Sequence, residues 1–218
     1  MGHFFRAFVG IVGLAAIFWG AVGAAPAAQA EEGIVEKIQR RYESIQSFQA
    51  EFTQELTVAA SRESEERRGV LYFRHPGLIR WETVSPEPEL LIVGSEVVWN
   101  YFEDEEIAYR YAVEDVLGSA TVLKILSGQA RLDDDFLTEV DLAEDTAATV
   151  IRLRPRVPEP SLVEATIRVD PETFLLQQVL AVDFYGNINQ VTLHNLRLDP
   201  DLEPTLFDFT PPKGVLVR

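Results

Sequence analysis

Apolar residues change their spacing near the start of the chain, and each spacing predicts a different element. Over residues 34–45 they recur at helical intervals with charged residues on the opposite face, which predicts an amphipathic helix. Over residues 48–56 they alternate with polar residues, which predicts a half-buried strand with Phe48, Phe52 and Gln54 on one face. The charged segment Ser61–Arg68 then predicts a hairpin loop.

Large apolar and aromatic side chains are concentrated in residues 69–101. Pro76-Gly77, Pro86-Glu87-Pro88 and Gly94-Ser95 interrupt this segment and are typical of turns, so we expect four short strands. The segment contains almost no side chain that could perform catalysis. Its apolar surface therefore suggests a sheet that holds an apolar ligand.

A short helix is predicted in the middle of the chain, where residues 116–126 are apolar on nearly every side. Such a helix must be buried or must cover an apolar surface. Many short strands in a row favour a mostly antiparallel sheet, sandwich or barrel, and about ten strands in one sheet tend to curl. Besides the strands named above, we expect strands at 107–113, 136–142, 149–154, 162–169, 175–184, 188–198 and 206–209.

The first 30 residues have the features of a secretory signal peptide. A basic start and an uncharged apolar run precede Ala28-Gln29-Ala30, and acidic residues follow directly. We expect cleavage near Ala30 and one mature domain, residues 31–218. The apolar run is also long enough to span a bilayer, so an uncleaved anchor stays open. The chain has no cysteine, so the exported domain relies on its core rather than on disulfides.

Charge restricts the possible partners. The formal net charge is −16, and loss of Arg6 with the signal peptide makes it −17. Such a charge repels nucleic acid and anionic head groups. It serves either solubility alone or attraction to basic partner surfaces.

Residue patterns for catalysis or metal binding are weak. The histidines His3, His75 and His194 lack metal-ligand spacing, and Asp133-Asp134-Asp135 lacks the alternation of a calcium loop. The sequence contains no nucleophile-elbow or nucleotide-binding motif. A glycosidase pair among the many carboxylates is disfavoured rather than excluded. We expect no enzyme, no cofactor and no metal.

Four motifs resemble, in order, those of the periplasmic outer-membrane lipoprotein carrier family, LolA. They are SFQAEFTQ at 47–54, G-x-L-x-F-x-x-P-G-x-x-R-W-E at 69–82, V-W-x-Y at 98–101 and F-x-F-x-P-P-x-G-V-x-V at 207–217. The resemblance implies an open, strongly curved antiparallel β-barrel, mainly β with a helical lid. It also implies a periplasmic carrier, which we expect to be a monomer.

In that family, carriers receive acylated lipoproteins from an ATP-driven inner-membrane complex and pass them to an outer-membrane acceptor, either a protein or the membrane. At about 0.8 kcal/mol per buried methylene, exposing three long acyl chains costs on the order of 30 kcal/mol. The alternative function is a periplasmic sensor or regulatory domain that binds lipid or lipoprotein with the same open barrel.

The resemblance and the apolar pattern together suggest an acyl-chain wall and a lid. For each wall residue, ordinary core packing is an equal alternative. The wall candidates are Phe48, Phe52, Ile79, Trp81, Ile92, Val97, Trp99, Leu123, Leu126, Phe184 and Phe207. The lid candidates, in addition to Leu123 and Leu126, are Val116, Leu117, Val122 and Ile125.

One latch residue departs from the family pattern. The resemblance implies an arginine directly before the turn proline, hydrogen-bonded to the lid helix, but this chain has His75 there and Arg74 one residue earlier. Adjacent strand residues point to opposite faces, so Arg74 cannot simply replace it. We hypothesise that His75 forms a weaker, pH-sensitive closure; the alternative is an exposed turn histidine. Arg80 is expected on the outer face, where it either pairs with Glu82 or contacts a partner.

Overall fold

A computed structural model describes residues 33–117, 121–141 and 148–218, so the predicted signal peptide lies outside the described residues. Residues 32–218 form one compact unit. Within the described residues, no helix has the length and apolar character needed to cross a membrane. The helices are α1 (Ile34–Ser44), α2 (Val113–Leu117), α3 (Thr121–Leu126) and α4 (Leu132–Asp135), and a 3-10 helix spans Pro204–Phe207.

The strands join into a single sheet. They are β1 (Ser47–Val58), β2 (Glu63–Arg74), β3 (Leu78–Ser85), β4 (Glu89–Val93), β5 (Val97–Phe102), β6 (Ile107–Ala112), β7 (Phe136–Asp141), β8 (Thr149–Pro155), β9 (Glu164–Val169), β10 (Leu176–Val182), β11 (Ile188–Leu198) and β12 (Leu216–Val217). Their order in the sheet is β12-β6-β5-β4-β3-β2-β1-β11-β10-β9-β8-β7. Neighbouring strands are antiparallel, except that β12 runs parallel to β6.

The sheet is open, because β12 and β7 are its two ends and do not pair with each other in the described part of the chain. The predicted fold class is therefore confirmed: mostly strands in one unclosed antiparallel sheet, with a few helices. The four strands expected between residues 69 and 101 are β2 to β5.

One face of the sheet, which we call the inner face, packs against the helices. Phe48 of β1 lies beside Phe73 of β2 with 5.3 Å between ring centroids, and Phe73 pairs with Ile79 of β3. The buried residues of α1, including Ile38 and Tyr42, belong to the same core. The alternation in β1 therefore directs its apolar side chains toward the helices, as predicted.

Tyr42 fixes α1 to the sheet. Its buried hydroxyl accepts a hydrogen bond from the Leu176 N–H at 3.0 Å. Burial raises the pKa of this phenol, because the ionised form would lose its hydration. The position is therefore a neutral, hydrogen-bonded group inside an apolar core.

Three predictions from the residue pattern are wrong. Most of the charged segment after β1 is not a loop, since β2 already begins at Glu63 and pairs with β1 along its whole length. The expected strand at 206–209 is instead the 3-10 helix, which starts at Pro204. The expected helix at 116–126 is two helices, α2 and α3, with residues 118–120 between them outside the described residues.

Candidate functional site

Two of the clefts that the short helix α3 borders together with the sheet share lining residues. The larger cleft has a volume of about 500 Å³ and the smaller about 180 Å³. Val122, Leu123 and Asn189 line both. The larger cleft is further lined by Leu56, Thr57, Val58, Thr121, Ser161, Leu162, Ala181, Asp183, Asn187 and Ile188. The smaller is further lined by Gln54, Arg67, Trp81, Thr83, Glu89 and Leu91.

The residues of α3 divide into an anchoring set and a lining set. Ile125 and Leu126 are buried in the core at 3% and 1% exposure. Val122 and Leu123 are half-buried and face the clefts. The helix therefore has a core-packed second half and a first half that borders open space.

The two ends of α3 are held by different contacts. At the N-terminal end, the Thr121 hydroxyl donates a hydrogen bond to Glu159 Oε1 at 2.7 Å. Just beyond the C-terminal end, Gly128 has a φ of +70°, and a Cβ there would lie 2.6 Å from Tyr42 Cβ. The glycine permits both the left-handed backbone and the close approach of α1.

The floor beside the smaller cleft is aromatic. The rings of Phe52 and Trp81 lie 4.5 Å apart. Gly69 lies between the strands that carry them, and a Cβ there would be 1.9 Å from the Glu82 carbonyl oxygen and 2.8 Å from Phe52 Cε1. The absence of a side chain at position 69 thus allows Phe52 to pack closely against Trp81.

A polar edge, defined as Gln54, Arg67, Glu89 and Asn189, borders the same cleft. Gln54 Nε2 donates to Asn189 Oδ1 at 3.0 Å. Arg67 Nη1 donates to Glu89 Oε2 at 2.9 Å, and Arg67 Nε donates to Glu65 Oε1 at 2.6 Å. The residue pattern predicts a loop at Arg67 and does not predict this edge. The available signal is Gln54, which alternation places on the face of Phe52.

Six of the wall candidates reach the inner face or α3. Phe48, Phe52 and Ile79 are 1–2% exposed and pack among core residues. Trp81 and Leu123 line clefts, and Leu126 packs in the core. Contact of these residues with acyl chains stays a prediction.

Three other wall candidates, Ile92, Val97 and Trp99, lie on the outer face. Trp81 pairs with Leu91, so the adjacent Ile92 points the opposite way and pairs with Trp99. The Trp99 ring contacts Phe209 at 5.6 Å and the Arg110 guanidinium at 6.0 Å. The C-terminal segment packs against this face through Phe209. Ile92, Val97 and Trp99 therefore lie apart from the core residues of the inner face.

The last two wall candidates also lie away from the inner-face cluster. Phe207 is buried in the 3-10 helix, where the Leu206 carbonyl accepts a hydrogen bond from Arg80 on the outer face. Arg80 also pairs with Glu82 at 3.0 Å, as expected. Phe184 is 71% exposed in the β10–β11 turn, edge-on to Tyr185.

The latch hypothesis concerns the β2–β3 turn. The His75 side chain is exposed and forms no hydrogen bond within the described residues; its backbone N–H donates to the Gln46 carbonyl at 2.7 Å. Arg74 Nη1 donates to the Leu202 carbonyl at 3.2 Å. A Cβ at Gly77 would lie 3.1 Å from Gln129 Nε2, so this turn lies beside the residues that follow α3. The role of His75 as a latch stays a prediction.

Two further candidates from the sequence have simple positions. Leu117 ends α2, and its side chain lies outside the described residues. The acidic run Asp133–Asp135 lies on α4, where Asp134 pairs with Arg131. Within the described residues, no group of three or more His, Cys, Asp or Glu side chains is arranged to hold a metal ion.

The described residues form an open antiparallel sheet with partly apolar clefts beside a short helix. The chain belongs to the family described as "Outer membrane lipoprotein carrier protein LolA", whose model matches residues 43–210.

Relatives agree with this assignment, and a solved structure shares the fold. The chain is 29% identical to the outer-membrane lipoprotein carrier protein of Methylococcus capsulatus, over 87% of this chain and 89% of that protein. It is 29% identical to the protein of the same name from Nitrosomonas europaea, over 78% and 81%. An uncharacterised conserved protein from Thermus thermophilus shares the fold, with a TM-score of 0.53, 16% identity and coverage of 85% of this chain and 99% of that one.

Proposed function

We propose that this chain is a periplasmic carrier that binds the acyl chains of lipoproteins released from the inner membrane and delivers them to the outer membrane. The observation that carries the proposal is the pair of clefts between α3 and the sheet, each with apolar side chains on both sides. Family membership and relatives named as outer-membrane lipoprotein carriers support it.

The larger cleft suits an apolar ligand in size and lining. Its volume of about 500 Å³ falls within the range of about 300–1,000 Å³ that is usual for ligand pockets. An acyl chain that lies between Leu123 and the sheet is removed from water along its length. Each buried methylene then contributes about 0.8 kcal/mol to the free energy of binding.

We expect opening to begin at the N-terminal end of α3, because Val122 and Leu123 are half-buried whereas Ile125 and Leu126 are almost fully buried. The Thr121–Glu159 hydrogen bond contributes about 1 kcal/mol net. Ile125 and Leu126, which are almost fully buried, contribute about 1.5–3 kcal/mol each. A ligand that enters under Val122 and Leu123 therefore displaces the first half of the helix before the second.

The proposal includes partners and a location. The cargo is an acylated lipoprotein, supplied by an ATP-driven inner-membrane complex and passed to an outer-membrane acceptor. The first 30 residues direct export and are removed near Ala30. Energy enters at the membrane complex, so the carrier itself binds and releases without catalysis.

The test is release of a lipoprotein from membranes that contain the transporter. Wild-type protein should bring acylated lipoprotein into the soluble fraction. Leu123→Glu places a charge in both clefts and should reduce the released fraction by at least tenfold, because an isolated buried charge costs several kcal/mol. The matched control is Leu137→Glu on β7, whose side chain is 55% exposed and which should release as wild type does.

Two outcomes count against the carrier function. If wild-type protein binds acylated peptide but releases no lipoprotein from membranes with an active transporter, the sensor or regulatory function replaces it. If Leu123→Glu and Leu137→Glu release equally, the clefts beside α3 are not the binding site.

A further inference from the structure

We infer that the polar edge of the smaller cleft is a subsite for the ester and amide carbonyl groups at which the acyl chains join the lipoprotein. The inference rests on the proposed carrier function and adds an orientation: chains under α3, carbonyl groups at Arg67 and Gln54. The carrier function alone requires only an apolar cavity, so it does not predict this subsite.

The polar edge lies directly beside the aromatic floor of the cleft. Arg67 lies two residues beyond Gly69 on β2, and Gln54 lies two residues beyond Phe52 on β1. Two residues along a strand span about 7 Å. The donors of Arg67 and Gln54 therefore lie about 7 Å along the strands from Phe52 and Gly69. Leu123 of α3 lines the cleft above both. An acyl chain that lies on Trp81 and Leu91 would therefore place its carbonyl end beside the donors of Arg67 and Gln54.

The ion pair between Arg67 and Glu89 is partly buried. The Arg67 and Glu89 side chains are only 29% and 20% exposed, and they interact across the end of β3. A partly desolvated ion pair adds little stability, and apolar replacements of similar volume often stabilise a protein more. The pair therefore fits a binding role better than a purely structural one.

The charges around Arg67 favour an uncharged ligand group over an anionic one. Glu65 and Glu89 both accept hydrogen bonds from Arg67, so the cation is already compensated and an anionic ligand gains little. Within the described residues, Arg67 Nη2 has no acceptor. Because Glu65 and Glu89 compensate the charge of Arg67, its remaining N–H groups suit an uncharged hydrogen-bond acceptor. A carbonyl oxygen is such an acceptor.

The test compares two synthetic lipopeptides with equal hydrocarbon chains. One is a diacylglyceryl-cysteine peptide with ester links, and the other is its dialkyl ether analogue without ester carbonyls. Each displaces diphenylhexatriene, an uncharged hydrocarbon probe, from the exported protein. Wild-type protein should bind the ester form about tenfold more tightly than the ether form, which is the usual effect of a hydrogen bond to a charged group.

Variants show which residues cause the preference for the ester lipopeptide over the ether lipopeptide. Arg67→Met should bring the ester-to-ether ratio close to one, because a methionine side chain donates no hydrogen bond to a carbonyl oxygen. Arg68→Met is the matched control: the adjacent arginine pairs with Glu66 on the other face and is 66% exposed, so its ratio should equal that of wild type. Gln54→Leu removes the second donor without touching the ion pair and should lower the ratio, even if Arg67→Met proves unstable.

A wild-type ratio of one overturns the subsite, as does a preference that neither Arg67→Met nor Gln54→Leu alters. In both cases the lipopeptides still bind and the carrier function stands. Failure of both lipopeptides to displace the probe refutes the carrier function itself, and the subsite with it.

Discussion

Replacing Tyr42 with phenylalanine removes one oxygen atom from the contact between α1 and β10. That oxygen accepts the Leu176 N–H hydrogen bond at 3.0 Å in the core. The variant leaves the N–H buried without an acceptor, which costs about 1–3 kcal/mol. With an m-value of about 2 kcal/mol/M in urea, the unfolding midpoint should fall by about 0.5–1.5 M.

The same variant should change the dependence of stability on pH. Burial raises the pKa of Tyr42 in the folded state, against the smaller lowering effects of the Leu176 hydrogen bond and the Arg41 charge. The folded protein thus keeps a proton that the unfolded chain loses above about pH 10. The contribution of the neutral Tyr42 phenol to stability is present below that pH. Above it, the free energy of unfolding falls by about 1.4 kcal/mol per pH unit. The difference between wild type and Tyr42→Phe should therefore shrink from about pH 9 to about pH 11.

Urea denaturation followed by far-UV circular dichroism at several pH values measures both effects. Tyr185→Phe is the control, because Tyr185 is 77% exposed and should shift neither the midpoint nor its pH dependence. Equal midpoints for Tyr42→Phe and wild type at pH 7 would refute the structural reasoning. A stability difference that stays constant up to about pH 11 would refute the pKa argument alone.

Two further predictions concern a close contact and a turn. Gly69→Ala should destabilise by about 3 kcal/mol or more, because its Cβ would overlap the Glu82 carbonyl. Gly33→Ala, with no atom within 4 Å, should lose much less, and equal urea midpoints for the two would contradict this. Hydrogen bonds from the Thr173 backbone N–H and hydroxyl lower the pKa of Asp170, so its stabilisation is present above about pH 4 and is lost as pH falls through the folded-state pKa. Asp170→Ala should lower Tm more at pH 7 than at about pH 2, and an equal loss at both pH values would argue against this.

The inner face could be predicted from sequence only within single strands. Alternation in β1 placed Phe48, Phe52 and Gln54 on one face, and the structure agrees. Alternation in β5 grouped Val97 with Trp99 correctly but did not say which face of the sheet they occupy. That depends on the pairing of β4 with β3 and β5, and a shift of one residue exchanges the faces.

Local chemistry explains the other differences. The Phe207-x-Phe209 alternation resembles a strand, but Pro204, Pro211 and Pro212 have no N–H for a ladder, and a 3-10 helix forms. The charged residues around Arg67 are typical of a loop, yet they lie in a β-strand. A strand can contain them where their side chains reach solvent or form ion pairs with each other. The space between α3 and the sheet depends on the packing of several elements, so no single segment of sequence encodes it.

The sheet order places β6 near one end and β7 at the other, although the chain connects them through α2, α3 and α4. This connection is a mechanical tie between opposite margins of the sheet, and its contour length limits how far they can separate. A helix advances about 1.5 Å per residue and an extended chain about 3.3 Å. Unwinding the six residues of α3 would therefore lengthen the tie by about 11 Å. Unwinding of α3 would thus let the two margins of the sheet move further apart.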